Sequence, residues 1–272
     1  SIAPAGAAVW ADDSVVCTGQ IVNFKAIGGY ALAFDGISQY ATVPHNASLS
    51  FDGTSSFTVE AWVNPTVINT GAVAGMVAKN AGANINYELR FNGTTNNFHF
   101  RAENAGLNLQ STTTAVAGQW YHIAGVYDLG TSTAYLYVNG VQEASVAINA
   151  ANQATSTNAN AVHIGSRNAG AADFNGKVDE VRIWNVARTA GQLLTDMRNE
   201  TVTGSPVGIW HFNEGNGTTA ADASGNGFTA TYQNPPITNY SNWSSPGTTF
   251  HTSTSTVNWS SGNGAGTTGN NS

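Results

Sequence analysis

Charge is what this sequence has least of. Asp, Glu, Lys and Arg make up 9% of its 272 residues, against ~25% in an average soluble domain. With nine Lys and Arg and a net charge of −7, no basic patch able to neutralise a phosphate backbone can be assembled, which excludes nucleic-acid binding. A single cysteine, Cys17, excludes an internal disulfide. The core must therefore supply the stability, and the thiol reads as a small buried hydrophobe. No apolar run reaches the ~18 residues that a membrane-spanning helix needs. No export leader is recognisable, and the chain opens on Ser1 without a Met; a removed leader and a piece of a longer protein both stay open.

What is there instead is polar but uncharged. Hydrophobic residues make up 41%, enough for a substantial core, and Asn, Thr, Ser and Gly must supply the surface. Thr, Val, Tyr and Trp suit strands and Asn and Gly suit turns, whereas the Lys, Glu, Arg and Leu of helices are scarce. Composition alone points to an all-β fold, and the length fits one large sandwich of ~200–250 residues with extensions.

Short alternating segments recur along the chain. In FTVEAWVNP, Val59, Ala61 and Val63 share one face and Thr58, Glu60 and Trp62 the other. YELRF and NFHFRAE flank the turn segment Asn92-Gly93-Thr94. AYLYV and VQEASVAI flank Asn139-Gly140, the strongest short-range hairpin signal a sequence can carry. One helix interrupts the series at Ala190–Asn199, where Thr189 and Gln192 have capping-box spacing and Leu193, Leu194 and Met197 form an apolar stripe. So many short strands between Gly/Asn turns mean an antiparallel two-sheet sandwich or jelly roll. It is expected at residues 30–245. An N-terminal extension, 1–29, reads as two strands about a turn at Thr18-Gly19, and a Thr/Ser/Gly/Asn-rich extension, 246–272, follows.

Six segments carry a family likeness. ALAFDGISQYATV, FTVEAWVNP, GQWYHIAGVYD, AYLYVNGVQ, FNGKVDEVRIWNVART and WHFNEGNGTTAADASGNG stand in the order found in concanavalin-like jelly rolls of the laminin-G/pentraxin type, and the resemblance runs from Tyr30 to Trp243. It implies two packed antiparallel sheets in a secreted protein that binds glycans, matrix or cell surfaces, often with a calcium ion. ADDSVVCTGQIVNFKA resembles the opening strands of an immunoglobulin-like repeat of large bacterial surface proteins.

Two acids stand out. Asp35 precedes Gly36 in a turn, where a side-chain oxygen and a closely approaching backbone can share one cation; Asp179 alternates with Val181 and Ile183 and so is expected on the apolar face, where a carboxylate needs a partner. By resemblance, both match positions near the family's calcium site, which makes Ca²⁺ the implied cofactor. Glu60 and Arg182, away from the aliphatic face of their strands, read as an ion pair on the sheet surface. Tyr135 and Tyr137, opposite Leu136 and Val138, are the aromatics best placed to stack on a sugar; Trp120, Trp184 and Trp210 read as framework.

Catalysis is not expected. A retaining glycosidase of this architecture needs two carboxylates about 5–5.5 Å apart, carried on a pattern E-x-D-x-x-E. Glu60-Ala61-Trp62 lacks the second acid, and Asp179-Glu180 would alternate to opposite faces. The reading is thus a non-catalytic extracellular carbohydrate-binding or adhesion module, calcium-stabilised, whose partner is a glycan or a cell-surface or matrix protein. The alternative is a structural subunit of a filament or surface layer assembled through its terminal strands. There Val257 and Trp259 alternate with polar residues, as a strand that could pair with the N-terminal segment should.

Overall fold

The computed structural model describes residues 8–11, 24–27, 30–81, 84–102, 106–150, 153, 157–233, 240–242, 256–258 and 267–269. Cys17, the turn at Thr18-Gly19 and Trp259 lie outside the described residues. In chain order the strands begin with β1 (Ala8–Ala11), β2 (Phe24–Ile27), β3 (Tyr30–Asp35), β4 (Tyr40–Val43), β5 (Phe57–Pro65), β6 (Val73–Ala81) and β7 (Asn84–Asn92). Next come β8 (Asn97–Ala102), β9 (Leu107–Thr114), β10 (Tyr121–Asp128), β11 (Thr133–Val138), β12 (Val141–Ala147), β13 (Val162–Ile164), β14 (Ser166–Asn168) and β15 (Ala171–Asp173). The series ends with β16 (Asn175–Trp184), helix α1 (Ala190–Asp196), β17 (Gly208–Trp210), β18 (Thr219–Ala220), β19 (Ala230–Gln233), β20 (Tyr240–Asn242), β21 (Thr256–Asn258) and β22 (Thr267–Gly269).

Two eight-stranded antiparallel sheets form the sandwich. The first runs β12-β11-β10-β5-β16-β3-β20, with β17 also on β16; the second runs β18-β19-β4-β13-β6-β7-β8-β9. The jelly roll expected from the strand pattern is what the chain builds. Among the described residues of the two extensions, β1 pairs with β2, and β21 pairs with β22.

Alternation decides which side chains meet between the sheets. On β9, Leu107, Leu109 and Ser111 point inward while Asn108 and Gln110 are exposed. On β7, Tyr87, Leu89 and Phe91 enter the core and Glu88 and Arg90 take the outer face. Phe57 lies between Phe51 and Tyr127, with stacked rings at 4.5 and 5.2 Å. Full burial of one such side chain contributes roughly 1.5–3 kcal/mol, so this aromatic column is a major part of the core.

β5 departs from simple alternation, because all nine of its residues are buried. Its second face is covered by α1, which starts at the expected capping box, Thr189 with Gln192, and ends at Asp196, three residues before the expected Asn199. Leu193 packs on Ala124, Val126 and Tyr137, and Met197 on Trp62. The Asn139-Gly140 turn forms as expected, with φ of 52° and 77°, the left-handed pair that a two-residue hairpin turn requires. At one end of the sandwich β12 meets β9: the Glu143 carboxylate accepts the Thr113 N–H at 2.9 Å and its hydroxyl at 2.5 Å. Among the described residues no helix is long and apolar enough to cross a membrane.

Candidate functional site

The two outer faces of the sandwich differ. On the first sheet α1 covers part of the outer face, and buried charge lies beneath it. Glu60 is fully buried; it accepts from Trp184 Nε1 at 2.8 Å and lies 3.1 Å from His122 Nε2. Burial would push this carboxyl up, but the hydrogen bond and charge of His122, with Arg182 and Trp184 behind them, hold it below its usual range. Arg182 donates to Glu180 at 2.6 Å and to the carbonyls of Asp196 and Asn199, and so ties β16 to the end of α1. Arg188 pairs with Asp196 and stacks over Trp184 at 4.1 Å. The expected Glu60–Arg182 surface pair is therefore neither at the surface nor a direct pair. Each residue has its own buried partners, because α1 covers positions that alternation alone would leave exposed.

Asp179 also differs from its expected place. Val178 pairs with Val63 and Asp179 with Trp62, but a β-bulge follows and the next partners are Arg182 and Glu60. Glu180 takes the extra position at φ 48°, so the alternation restarts there. Asp179 ends up beside Trp62 under α1, not with Val181 and Ile183, and the bulge places Asp179 and Glu180 in one buried cluster instead of on opposite faces. Asp179 Oδ1 accepts the Glu180 N–H at 2.8 Å. Desolvation first, and then the charge of Glu180, push the Asp179 carboxyl well above the usual carboxylate range.

Tyr135 and Tyr137 are neighbours, with ring centroids 6.1 Å apart. They line a cleft of about 220 Å³ with Val126, Asp128 and Arg188 beside the start of α1. Tyr137 is only 6% exposed and packs against Leu193. Of the two rings only the half-buried Tyr135 offers an edge, and its hydroxyl already lies 3.0 Å from Thr131 Oγ1. The stripe expected at the surface is mostly packing for the helix.

At one end of the sandwich Asp35 closes a turn. Its Oδ1 accepts the N–H groups of Ile37, Ser38 and Gln39 at 2.9–3.1 Å. Partial burial pushes its carboxyl up, but these donors outweigh it and hold it below its ordinary value. Asp35 pairs with Asn175 across β3 and β16, four positions from Asp179, which is ~13 Å at 3.3 Å per residue. Asp35 and Asp179 therefore cannot hold one ion. The carboxylate that does stand near Asp35 is Asp173, raised by desolvation first and by the Asp35 charge, against a Ser166 hydrogen bond that lowers it. Asp173 Oδ1 is buried with no hydrogen-bond partner among the described residues. The Asp35 turn and β15 border a cavity of about 320 Å³ lined by Gly36, Thr70, Asp173 and Asn175. An orphaned carboxylate oxygen beside a second carboxylate fits a hard cation, although among the described residues no group of three or more His, Cys, Asp or Glu converges.

Among the described residues, no α-helix packs on the outer face of the second sheet. Two cross-strand rows run over β7, β8 and β9: Glu88, Arg101 and Asn108, then Arg90, His99 and Gln110. Arg167 joins them from β14. A Cβ on Gly75 would lie 2.4 Å from Arg167 Cα, so glycine at that point of β6 is what lets β14 lie close enough to deliver the side chain. Glu88, itself fully buried, takes Arg167 Nε at 2.9 Å and lies 3.5 Å from Arg101 Nη1. His99 Nδ1 lies 3.0 Å from Asn108 Oδ1 and 3.4 Å from Arg90 Nη2. Asn108 and Gln110 are exposed. Sequence reasoning missed this group, because its members lie in separate motifs and only strand register assembles them.

A search of curated proteins found no match. Among solved structures, a candidate carbohydrate binding protein from Bacteroides ovatus ATCC 8483 superposes with a TM-score of 0.59 at 22% identity, covering 81% of this chain and 64% of that one. The chain thus spans about 64% of the length of that protein. The heptameric SAP-like pentraxin of Limulus polyphemus gives a TM-score of 0.47 at 16% identity, covering 62% of this chain and 82% of that one. The Ruminococcus gnavus IT-sialidase CBM40, bound to α2,3 sialyllactose, gives 0.48 at 13% identity, covering 61% and 95% respectively. The first of these likenesses establishes a shared fold. The family described as the concanavalin A-like lectin/glucanases superfamily matches residues 35–193, more than half of the chain, and with its two-sheet jelly roll the chain belongs to that superfamily.

Proposed function

We propose that the chain is a non-catalytic, extracellular carbohydrate-binding module that takes glycan on the outer face of the second sheet. The observation that carries this reading is the asymmetry of the sandwich. One outer face carries α1 over the strands that hold its charged residues, while the other presents the exposed Asn108 and Gln110 beside the partly exposed Arg90, Arg101 and Arg167. Amides and guanidinium groups on a rigid sheet suit sugar hydroxyls, which need donors and acceptors in fixed positions. The likeness to the Bacteroides ovatus protein agrees with it. The superfamily's other activity, glycan hydrolysis, finds no matching geometry among the described residues. The adjacent acids Asp179 and Glu180 are 1% and 2% exposed and engage the Glu180 N–H, Arg182 and His211, where no pyranose ring can reach them.

The test is a glycan array followed by titration of the best ligand, alongside a reducing-sugar assay. We expect binding without hydrolysis, and loss of binding in an Asn108→Ala, Gln110→Ala double variant that melts like the parent. Hydrolysis abolished by Glu180→Gln, or no ligand on a broad array, would refute the reading.

Calcium belongs to the same proposal. We place it at Asp35 with Asp173, where it would join the β3–β4 turn to β15; Asp179 is outside that site.

A further inference from the structure

The chain has nine Lys and Arg, and three of them, Arg90, Arg101 and Arg167, gather about one carboxylate on the open face. The face under α1 handles arginine differently. There Arg182 has Glu180 and Arg188 has Asp196, one acid for each. On the open face Glu88 is shared by Arg101 and Arg167, and Arg90 makes no salt bridge among the described residues. Its neighbour across the ladder is His99, which is 3% exposed, holds its Nδ1 3.4 Å from Arg90 Nη2, and has no hydrogen-bond partner for its Nε2 among the described residues. Desolvation lowers the basicity of Arg90, Glu88 restores part of it, and Arg101 and Arg167 each lower it further. The three guanidinium groups therefore feel one another. Like charges so placed are unfavourable unless an anion joins them.

We infer that Arg90, Arg101 and Arg167 form a carboxylate-binding subsite, and that the glycan taken by this face carries an acidic sugar, a uronic or a sialic acid. This rests on the carbohydrate-binding reading and narrows its ligand. Glu88 neutralises one of the three cations and leaves two to meet a carboxylate. A guanidinium fork matches the two oxygens of a carboxylate, and such charge-assisted pairs are the strong class of hydrogen bond. All three reach solvent in part: Arg90 is half-buried, and the side chains of Arg101 and Arg167 are 13% and 27% exposed. Asn108 and Gln110 flank the cluster on the edge strand β9, where they can take the ring hydroxyls of the same sugar. His99, held by Asn108, fixes the floor between Arg90 and Gln110.

The experiment is calorimetric titration of the full chain with oligogalacturonate, its methyl ester, sialyllactose and lactose, at low and at raised salt. The acidic ligand that fits is expected to bind about tenfold or more tightly than its uncharged counterpart, the scale of one charge-assisted hydrogen bond, and to weaken with salt. Arg90→Gln removes no salt bridge, only the 3.4 Å contact with His99 Nδ1. It is expected to cost the acidic ligand about tenfold in affinity and the uncharged ligand clearly less, with a cooperative melt run alongside to show that the variant is folded. Equal affinity for ester and acid, or for lactose and sialyllactose, would overturn the subsite while leaving a neutral-glycan module standing. An acidic ligand that binds Arg90→Gln as it binds the parent would overturn the subsite too. Failure of all four probes would overturn it as well, and the broader array then decides the carbohydrate reading.

Discussion

Asp179 faces Trp62 across the β5–β16 ladder, yet the next partners are Arg182 and Glu60, three residues on along one strand and two along the other. That single extra residue brings two acids and an arginine under α1. Its cost should be visible. The Asp179 carboxyl titrates well above its unfolded value of ~3.9. The folded state therefore holds the proton longer than the unfolded chain does, and the stability Asp179 contributes at low pH is lost as pH rises through the folded value. Asp179→Asn is expected to be at least as stable as the parent at pH 7–8 and less dependent on pH above ~4. Urea midpoints across that range are the check. A variant that is weaker at pH 8, with the parent's slope, would contradict the account.

Glu60 behaves oppositely, because its partners favour its charge. Glu60→Ala would leave His122 and Trp184 buried without their acceptor, and a loss of about 3–5 kcal/mol is expected. Glu60→Gln, which keeps an oxygen for Trp184, should lose less. Denaturant unfolding of both variants tests the order; equal losses would mean that shape and not charge is what the site needs.

Gly125 on β10 lies opposite Val59 and Leu136, where a Cβ would stand 2.2 Å from the Phe100 ring. Gly125→Ala should therefore destabilise by about 1–3 kcal/mol through overpacking, and Phe100→Leu on the same chain should recover part of it. Thermal melting of the single and double variants decides. Additive losses would place the strain elsewhere.

Calcium bound at Asp35 and Asp173 should raise the melting temperature, with a stabilisation of ~2.7 kcal/mol at a hundred times the dissociation constant. Asp173→Asn should abolish the difference between calcium and chelator, and Asp179→Asn should keep it. The same midpoint with and without chelator in the parent would remove the proposal.

Much of the fold could be read from residues close together in the chain. Asn139-Gly140 encodes its own turn, and Thr189 with Gln192 its own cap, because in both the partners lie within a few residues. The bulge at Glu180 left no such mark. One inserted residue changes neither composition nor hydrophobicity, and only pairing with β5 reveals it. The covering of Glu60 and Tyr137 by α1 was hidden for the same reason, since a strand's alternation says which residues share a face but not what lies on it. The arginine group was the least visible. Arg90 and Arg101 each occupy an ordinary polar position of a strand, and Arg167 joins them from a short hairpin far along the chain.

Glu143 and Thr113 have a further consequence. β9 and β12 are the end strands of different sheets, and an end strand with free amides is a template for a foreign strand. Here a carboxylate from one rim already occupies the Thr113 amide of the other. A neighbouring molecule seeking to extend the second sheet at that point would have to evict Glu143 and leave it facing the incoming backbone carbonyls. The sandwich thus guards that margin with its own side chain, and polymers grown strand by strand from β9 are disfavoured by the same contact that fastens the two sheets together.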